Sequence, residues 1–308
     1  MRVVSLASGS SGNALLIDDG VTRVLVDAGL PPRTLITRLR QVGVAAESLS
    51  AILLTHEHHD HTCGAVAFAC RHDIPLVTDR RTFDALMTLP SALRVERVPA
   101  CDALPVGRHK RLGSLDVRSF AVSHDAAAPC GYLLTSGGWT VFVATDTGEV
   151  TPPMADALGA ARLVVIEANH DERMLHAGPY PMHLKRRIRG ATGHLSNTQT
   201  ADALVAATQV GPRWVWLAHL SRTNNTPAQA LATVHQRLQE SGRERVVLAA
   251  APPDLGPTWE SPESSGIEAH QPTLWSDATP PPADVLLDAP RAPAPDRSTV
   301  NVRAARRS

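Results

Sequence analysis

Thr55-His56-Glu57-His58-His59-Asp60-His61 follows directly on the apolar run Ala51-Ile52-Leu53-Leu54. His56, His58, Asp60 and His61 make an H-x-H-x-D-H array. Imidazole and carboxylate are ligands for borderline divalent ions such as Zn²⁺, Mn²⁺ and Fe²⁺. At an extended strand end His56 and His58, two residues apart, point the same way and suit one ion. Asp60 and His61, adjacent at the start of a following helix, suit a second. So dense a polar run is not a core segment, because unpaired buried charge is too costly. A solvated polar loop is the competing reading. The strand-loop-helix setting and the two-plus-two spacing favour a metal site.

Outward from this run the same grammar recurs, a strand and then a ligand-type residue. His124 follows the strand pattern at 117–122, Asp146 that at 139–144 and His219 that at 214–218, while Asp27 and Glu167 end the runs at 21–26 and 163–166. Side chains at strand ends converge on one sheet edge, where loops build sites. A single histidine there is ordinarily a surface residue, but the set closes a ligand count. His56, His58 and His124 suit one ion, Asp60, His61 and His219 the other, and Asp146 bridges with one oxygen to each. Asp27 is placed to orient a ligand histidine. Two ions sharing a water make hydroxide near neutral pH and clamp an anionic transition state. The chemistry implied is hydrolysis of an ester, amide, thioester or phosphodiester, and the ligand set does not choose among them.

Between these points strands and helices alternate. Short strands are expected at 2–7, 14–17, 21–26, 51–54 and 76–77, and helices from Pro32 to about Val42, over 64–71 and over 80–87. Residues 94–112 give no clear pattern. A hairpin turns at Ser136-Gly137-Gly138. Ser196 and Gln199 form a capping box for a helix to about Gln209, Thr226-Pro227 starts another that stops at Gly242, and 246–250 is the last strand. The loop Ser8-Gly9-Ser10-Ser11-Gly12-Asn13 fits a plain hairpin turn or a phosphate cradle, and local sequence leaves both open. From Arg173 to Ala201 there is no acidic residue, while Lys185, Arg186, Arg187 and Arg189 are present. That segment reads as a track for phosphates or as a solvated helix face.

The chain has 308 residues, 43% of them hydrophobic, enough for a sizeable core. Zero formal net charge gives no global argument for a polyanionic partner. Four cysteines without a C-x-x-C pair read as reduced thiols, with Cys63 and Cys70 as small core residues. With no signal-like segment and no run of about 20 apolar residues, a cytoplasmic protein without a membrane span is expected. Eleven of the 24 prolines fall in residues 252–308. The expected organisation is therefore a catalytic domain over 1–251 and a disordered Pro-rich tail over 252–308. Removing the tail leaves 25 basic and 22 acidic residues, a mildly basic body.

The H-x-H-x-D-H array resembles the signature of the metallo-β-lactamase fold superfamily. Glu167 after a strand, then Gly193-His194-Leu195-Ser196, then His219-Leu220-Ser221 resemble its nuclease branch, ribonuclease Z included. Taken with the Ser8–Asn13 loop, Ser123-His124-Asp125, Thr145-Asp146-Thr147-Gly148 and Glu167-Ala168-Asn169-His170-Asp171, these motifs are similar to the YycJ/WalJ family. The resemblance implies a four-layer αββα sandwich, two divalent ions (Zn or Mn) per chain, and 5′-to-3′ exonuclease action on DNA rather than RNA. It also implies His219 as a ligand and Glu167 with His194 as an acid pair for the leaving oxygen. Asp60, Glu167 and His194 are then the catalytic residues, Asp60 doubling as a ligand. The candidate substrate contacts are Ser10, Ser11, Asn13, Arg186, Arg187, Ser196 and Asn197. Without the resemblance, His194 is equally a helix-capping surface residue. The alternative function is a small-molecule metallo-hydrolase of the same fold, a glyoxalase II-like thioesterase or a lactonase. It has no need of a basic segment or an acid pair.

Overall fold

The apolar run before the histidine stretch becomes β4 (Ala51–Leu53), buried along its length. It lies parallel between β3 (Arg23–Val26) and β5 (Leu76–Thr78). Parallel strands covered on both faces read as unbroken apolar runs rather than alternation, as this one does. The computed structural model describes residues 1–207, 213–243 and 245–261. With β1 (Arg2–Ala7), β2 (Ala14–Asp18), β6 (Cys101–Ala103) and β14 (Thr258–Glu260), these strands make one seven-stranded sheet in the order β14-β1-β2-β3-β4-β5-β6. The second sheet holds β7 (His109–Leu112), β8 (Leu115–Ala121), β9 (Cys130–Ser136), β10 (Trp139–Ala144), β11 (Leu163–Glu167), β12 (Arg213–Ala218) and β13 (Val246–Ala250). Its order is β13-β12-β11-β10-β9-β8-β7.

The two-residue period of the strands sorts the core into layers. Val3, Ile17, Val24 and Val26 face Val117, Leu134, Val143 and Trp216 across the space between the sheets. The alternate residues Val4, Leu16 and Leu25 pack outward with Leu35, Leu39 and Phe68 of α1 (Pro32–Gln41) and α3 (Ala65–His72). On the other outer face Phe142, Val164 and Val215 meet Met154, Leu204 and Val234 of α5 (Pro152–Ala160), α8 (Asn197–Ala206) and α9 (Pro227–Glu240). The result is the four-layer αββα sandwich. Among the described residues no helix is long and apolar enough to cross a membrane.

Several elements differ from expectation. The segment 94–112 supplies β6 and the exposed edge strand β7, whose four residues HKRL carry almost no apolar period. Helix α5 is not among the expected elements, although the sequence carries its start signal: Pro152 follows Thr151, whose side chain accepts from the Met154 amide. Cys63 and Cys70 are half-buried rather than core residues. The boundary placed at 251 falls too early. β14 pairs antiparallel with β1, Trp259 opposite Val3, and the Met1 amino group donates to Ser261 Oγ at 2.8 Å. Trp259 is buried against Trp139 and Trp214, with ring centroids 5.4 and 5.6 Å away. Burial of one indole outweighs the proline content of the segment that carries it. Residues 262–308, the remainder of the expected tail, lie outside the described residues, as does Gln209.

Candidate metal centre

Every candidate ligand sits just past the carboxyl end of a strand. Asp27 follows β3, His56 and His58 follow β4, and Asp60 and His61 lie in the short helix α2 (His59–Thr62). His124, Asp146 and His219 follow β8, β10 and β12, and Glu167 is the last residue of β11. Asp27, Asp146 and His219 have left-handed backbones, with φ of 62°, 55° and 53°. Non-glycine residues there cost energy that the surrounding structure must override, and such strain gathers at functional sites. Gly29 makes the close approach possible, since a Cβ there would lie 1.7 Å from the Asp60 carbonyl oxygen.

The seven candidate ligands converge. His56, His58 and His124 form one group and Asp60, His61 and His219 another, the ligand atoms within each lying within 4.8 Å of one another. Asp146 stands between them, with Oδ2 2.9 Å from His61 Nε2 and Oδ1 3.9 Å from His124 Nε2. His124 Nε2 is 3.2 Å from His58 Nδ1, and His219 Nε2 is 3.3 Å from Asp60 Oδ2.

The hydrogen bonds around the rings show that the donor set fits divalent cations. His61 Nδ1 donates to Asp27 Oδ2 at 2.7 Å, His124 Nδ1 to the Gly193 carbonyl at 3.1 Å, and His219 Nδ1 to Glu167 Oε1 at 2.8 Å. Thr55 Oγ1 donates to Asp27 and lies 3.0 Å from His56 Nδ1. Each of these four rings is held through Nδ1, which leaves Nε2 for a ligand. His56 Nε2 is buried with no hydrogen-bond partner among the described residues, a costly state for a polar atom unless something binds there. Burial, with the neighbouring His61, holds His56 well below the usual histidine range. Burial also lowers His124, so both offer the neutral imidazole that a metal requires. Burial would lower His61 and His219 too, but the Asp146 carboxylate leads the groups that override it and raises both.

Glu167 does more than the expected pairing with His194. Its Oε1 lies 2.8 Å from both His194 Nδ1 and His219 Nδ1, and Oε2 accepts from the amides of Thr147 and Leu195. Burial opposes its charge, yet His194 and these hydrogen bonds bring its pKa down to about 2. The fully buried carboxylate therefore ties a candidate ligand to a candidate acid. Burial likewise opposes charge on His194, and the Glu167 carboxylate reverses that and raises it.

The substrate candidates divide. Ser10, Ser11 and Arg186 are exposed. Asn13 is buried, accepting from the Gly9 amide and lying 3.1 Å from His61 Nε2, so it braces the ligand loop instead of facing solvent. Ser196 is the buried N-cap of α8, completing the capping box with Gln199. Asn197 is buried against Asn225. These three polar side chains satisfy buried groups of their own neighbourhood and have no surface to offer. Arg187, on α7 (Met182–Ile188), is exposed but paired with Asp125 at 2.8 Å. Two supports went unread in the sequence. Thr55 stood beside His56 in plain view, whereas nothing local marks the Gly193 carbonyl as the partner of His124.

Residues 22–220 match the beta-lactamase superfamily domain, and the chain belongs to that superfamily. It is a metal-dependent hydrolase. Within the superfamily it belongs to the YycJ/WalJ family. It is 36% identical over 239 residues to exodeoxyribonuclease YycJ of Bacillus anthracis, covering 77% of this chain and 89% of that protein. It is 35% identical over 236 residues to exodeoxyribonuclease WalJ of Streptococcus pneumoniae, covering 77% and 87%. The crystal structure of human tRNase Z, short form, is similar with a TM-score of 0.59 over 84% of this chain and 99% of that one, at 15% identity, a likeness of fold.

Proposed function

We propose that the chain is an exonuclease that hydrolyses DNA phosphodiesters in the 5′-to-3′ direction. The observation that carries the reading is the Glu167–His194 pair beside the seven-ligand cluster, supported by the exodeoxyribonuclease names of the relatives. Two divalent ions, Zn²⁺ or Mn²⁺, held by His56, His58 and His124 and by Asp60, His61 and His219 with Asp146 between, would supply an activated water and stabilise negative charge on the phosphate. Asp60 would act in catalysis from its place in the second ligand group, its Oδ2 3.3 Å from His219 Nε2. His194 donates its Nδ1 proton to Glu167 Oε1, so the carboxylate fixes the ring and stabilises its charged form. The side chain remains 16% exposed, and Nε2 can pass a proton to the leaving 3′-oxygen. A poor alkoxide leaving group needs that proton, and the thiolate of a thioester has less use for it.

The test compares leaving groups. His194→Ala should slow cleavage of end-labelled DNA by about 10²–10⁴-fold and slow bis(nitrophenyl) phosphate far less, while elemental analysis shows both metals retained. Equal slowing of both substrates with loss of metal would make His194 a ligand and end its assignment as the acid. Parallel assays on RNA and a thioester, with label at either DNA end, test substrate class and direction. Preferential thioester turnover would favour the small-molecule alternative.

A further inference from the structure

Two loops meet on the Asp60 side of the cluster, and both are anchored to ligands. The His219 amide donates to Ser8 Oγ at 2.7 Å, and the Asn13 amide donates to the Asp60 carbonyl at 2.7 Å. A Cβ at Gly9 would lie 3.6 Å from the Leu220 carbonyl, so the loops run in contact. The second loop is pinned further along, where the Ser221 amide donates to the Asn169 carbonyl and the Asn224 amide to Ser221 Oγ. Above this fixed base stand two exposed residues, and Arg222 Nη2 donates to Ser11 Oγ at 3.1 Å.

The partner of this arginine matters. Arg187, on the His124 side, is neutralised by Asp125. Arg222 is braced by a neutral hydroxyl and has no carboxylate within ion-pair range among the described residues. One contact to Ser11 uses one of five guanidinium donors, which leaves a pre-oriented fork of the kind that binds phosphate bidentately. Arg222 lies three positions beyond His219, a backbone span of at most about 11 Å. That is near enough for the guanidinium to reach a phosphate adjoining the one undergoing attack. Tyr180 borders the same rim, donating to Thr223 Oγ1 at 3.2 Å. A half-buried aromatic ring tied to the loop that carries a cation is a pairing suited to unpaired bases.

We propose that Arg222, Ser11 and Tyr180 form a nucleotide subsite that grips the phosphate neighbouring the scissile one and stacks its base. The proposal rests on the nuclease reading above. It makes single-stranded DNA the strand form engaged on this side, with Arg222 rather than Arg187 the principal cation.

The test uses the metal-loaded full chain and dinucleotides with and without an additional terminal phosphate, together with a labelled single-stranded oligonucleotide. Arg222→Ala should raise KM for the oligonucleotide about tenfold or more, with a smaller change in kcat. The preference for the dinucleotide bearing the extra phosphate should fall by a similar factor. The slope of log affinity against log salt should flatten by about 0.7. Arg222→Lys should restore the salt slope but only part of the KM, and Tyr180→Ala should raise KM without altering the slope. Intact DNA cleavage with KM and salt slope unchanged in Arg222→Ala would overturn the subsite alone. Loss of metal or of folding in both Arg222 variants would also overturn it, by making the loop contact structural. Failure of the wild-type chain to cleave any DNA would instead overturn the nuclease reading.

Discussion

The two sheets contribute to the centre in different ways. The first sheet delivers His56, His58, Asp60 and His61 from one continuous run after β4, so four candidate ligands come with a single loop. The second sheet delivers His124, Asp146, Glu167 and His219 one at a time, each from a different strand. A continuous run is set by local geometry and keeps its shape if the neighbourhood loosens. Dispersed residues are placed only by the sheet, and their precision depends on long-range packing. The strain follows this division in part. Asp146 and His219 turn through left-handed backbone on the second sheet, and Asp27, which supports His61, does so on the first, whereas no residue of the His56–His61 run does. The contiguous half is thus locally relaxed, and the assembled half is held in place by the fold.

The strongest way to break the comparison is to remove the residue that joins the halves. Asp146→Asn keeps a side chain that tolerates the left-handed backbone and deletes the charge between the groups. Turnover should fall on the order of 10³-fold, and metal content by elemental analysis should drop below that of the unaltered protein. Full occupancy with full activity would remove Asp146 from the centre.

A smaller effect should sharpen the division. Asp27→Asn weakens the bond that orients His61 directly, reaches His56 only through Thr55 and leaves His58 and His124 untouched. Affinity for one ion should fall about 10–100-fold in a competition titration while the other is held. Simultaneous weakening of both would show that the groups act as one unit.

The smallest expected effect on chemistry lies farthest from it. Trp259→Ala removes the indole that seats β14 beside β1 and should destabilise the fold by about 3–5 kcal/mol, read as a lower midpoint in denaturant. At a temperature where the variant remains folded, kcat should stay within about threefold of the unaltered protein. An unchanged midpoint would return residues 252–261 to the tail.

Much of the site was legible because its chemistry is written at strand ends. A ligand-type residue after a run of Val, Ile, Leu or Ala is a local signal, and it marked His56, His58, His124, Asp146, Glu167 and His219. What was not legible were roles set by who lies opposite. Asn13, Ser196 and Asn197 have the polarity of binding residues, and the fold turns each inward to satisfy buried partners. Arg187 has the charge of a phosphate clamp, and Asp125, 62 positions away, cancels it.

The sequence by itself determined the alternation of strands and helices and the two groups of candidate ligands, because strand periodicity and ligand spacing are short-range properties, and its resemblance to a known family supplied the four-layer fold and the Glu167–His194 pair. The tertiary structure alone decided that one oxygen of Glu167 serves both His194 and His219, that β14 closes the first sheet, and that Arg222 rests on Ser11. Those contacts join positions 27, 52, 256 and 211 residues apart. Their geometry depends on how two separate sheets pack, and no local pattern of residues encodes it.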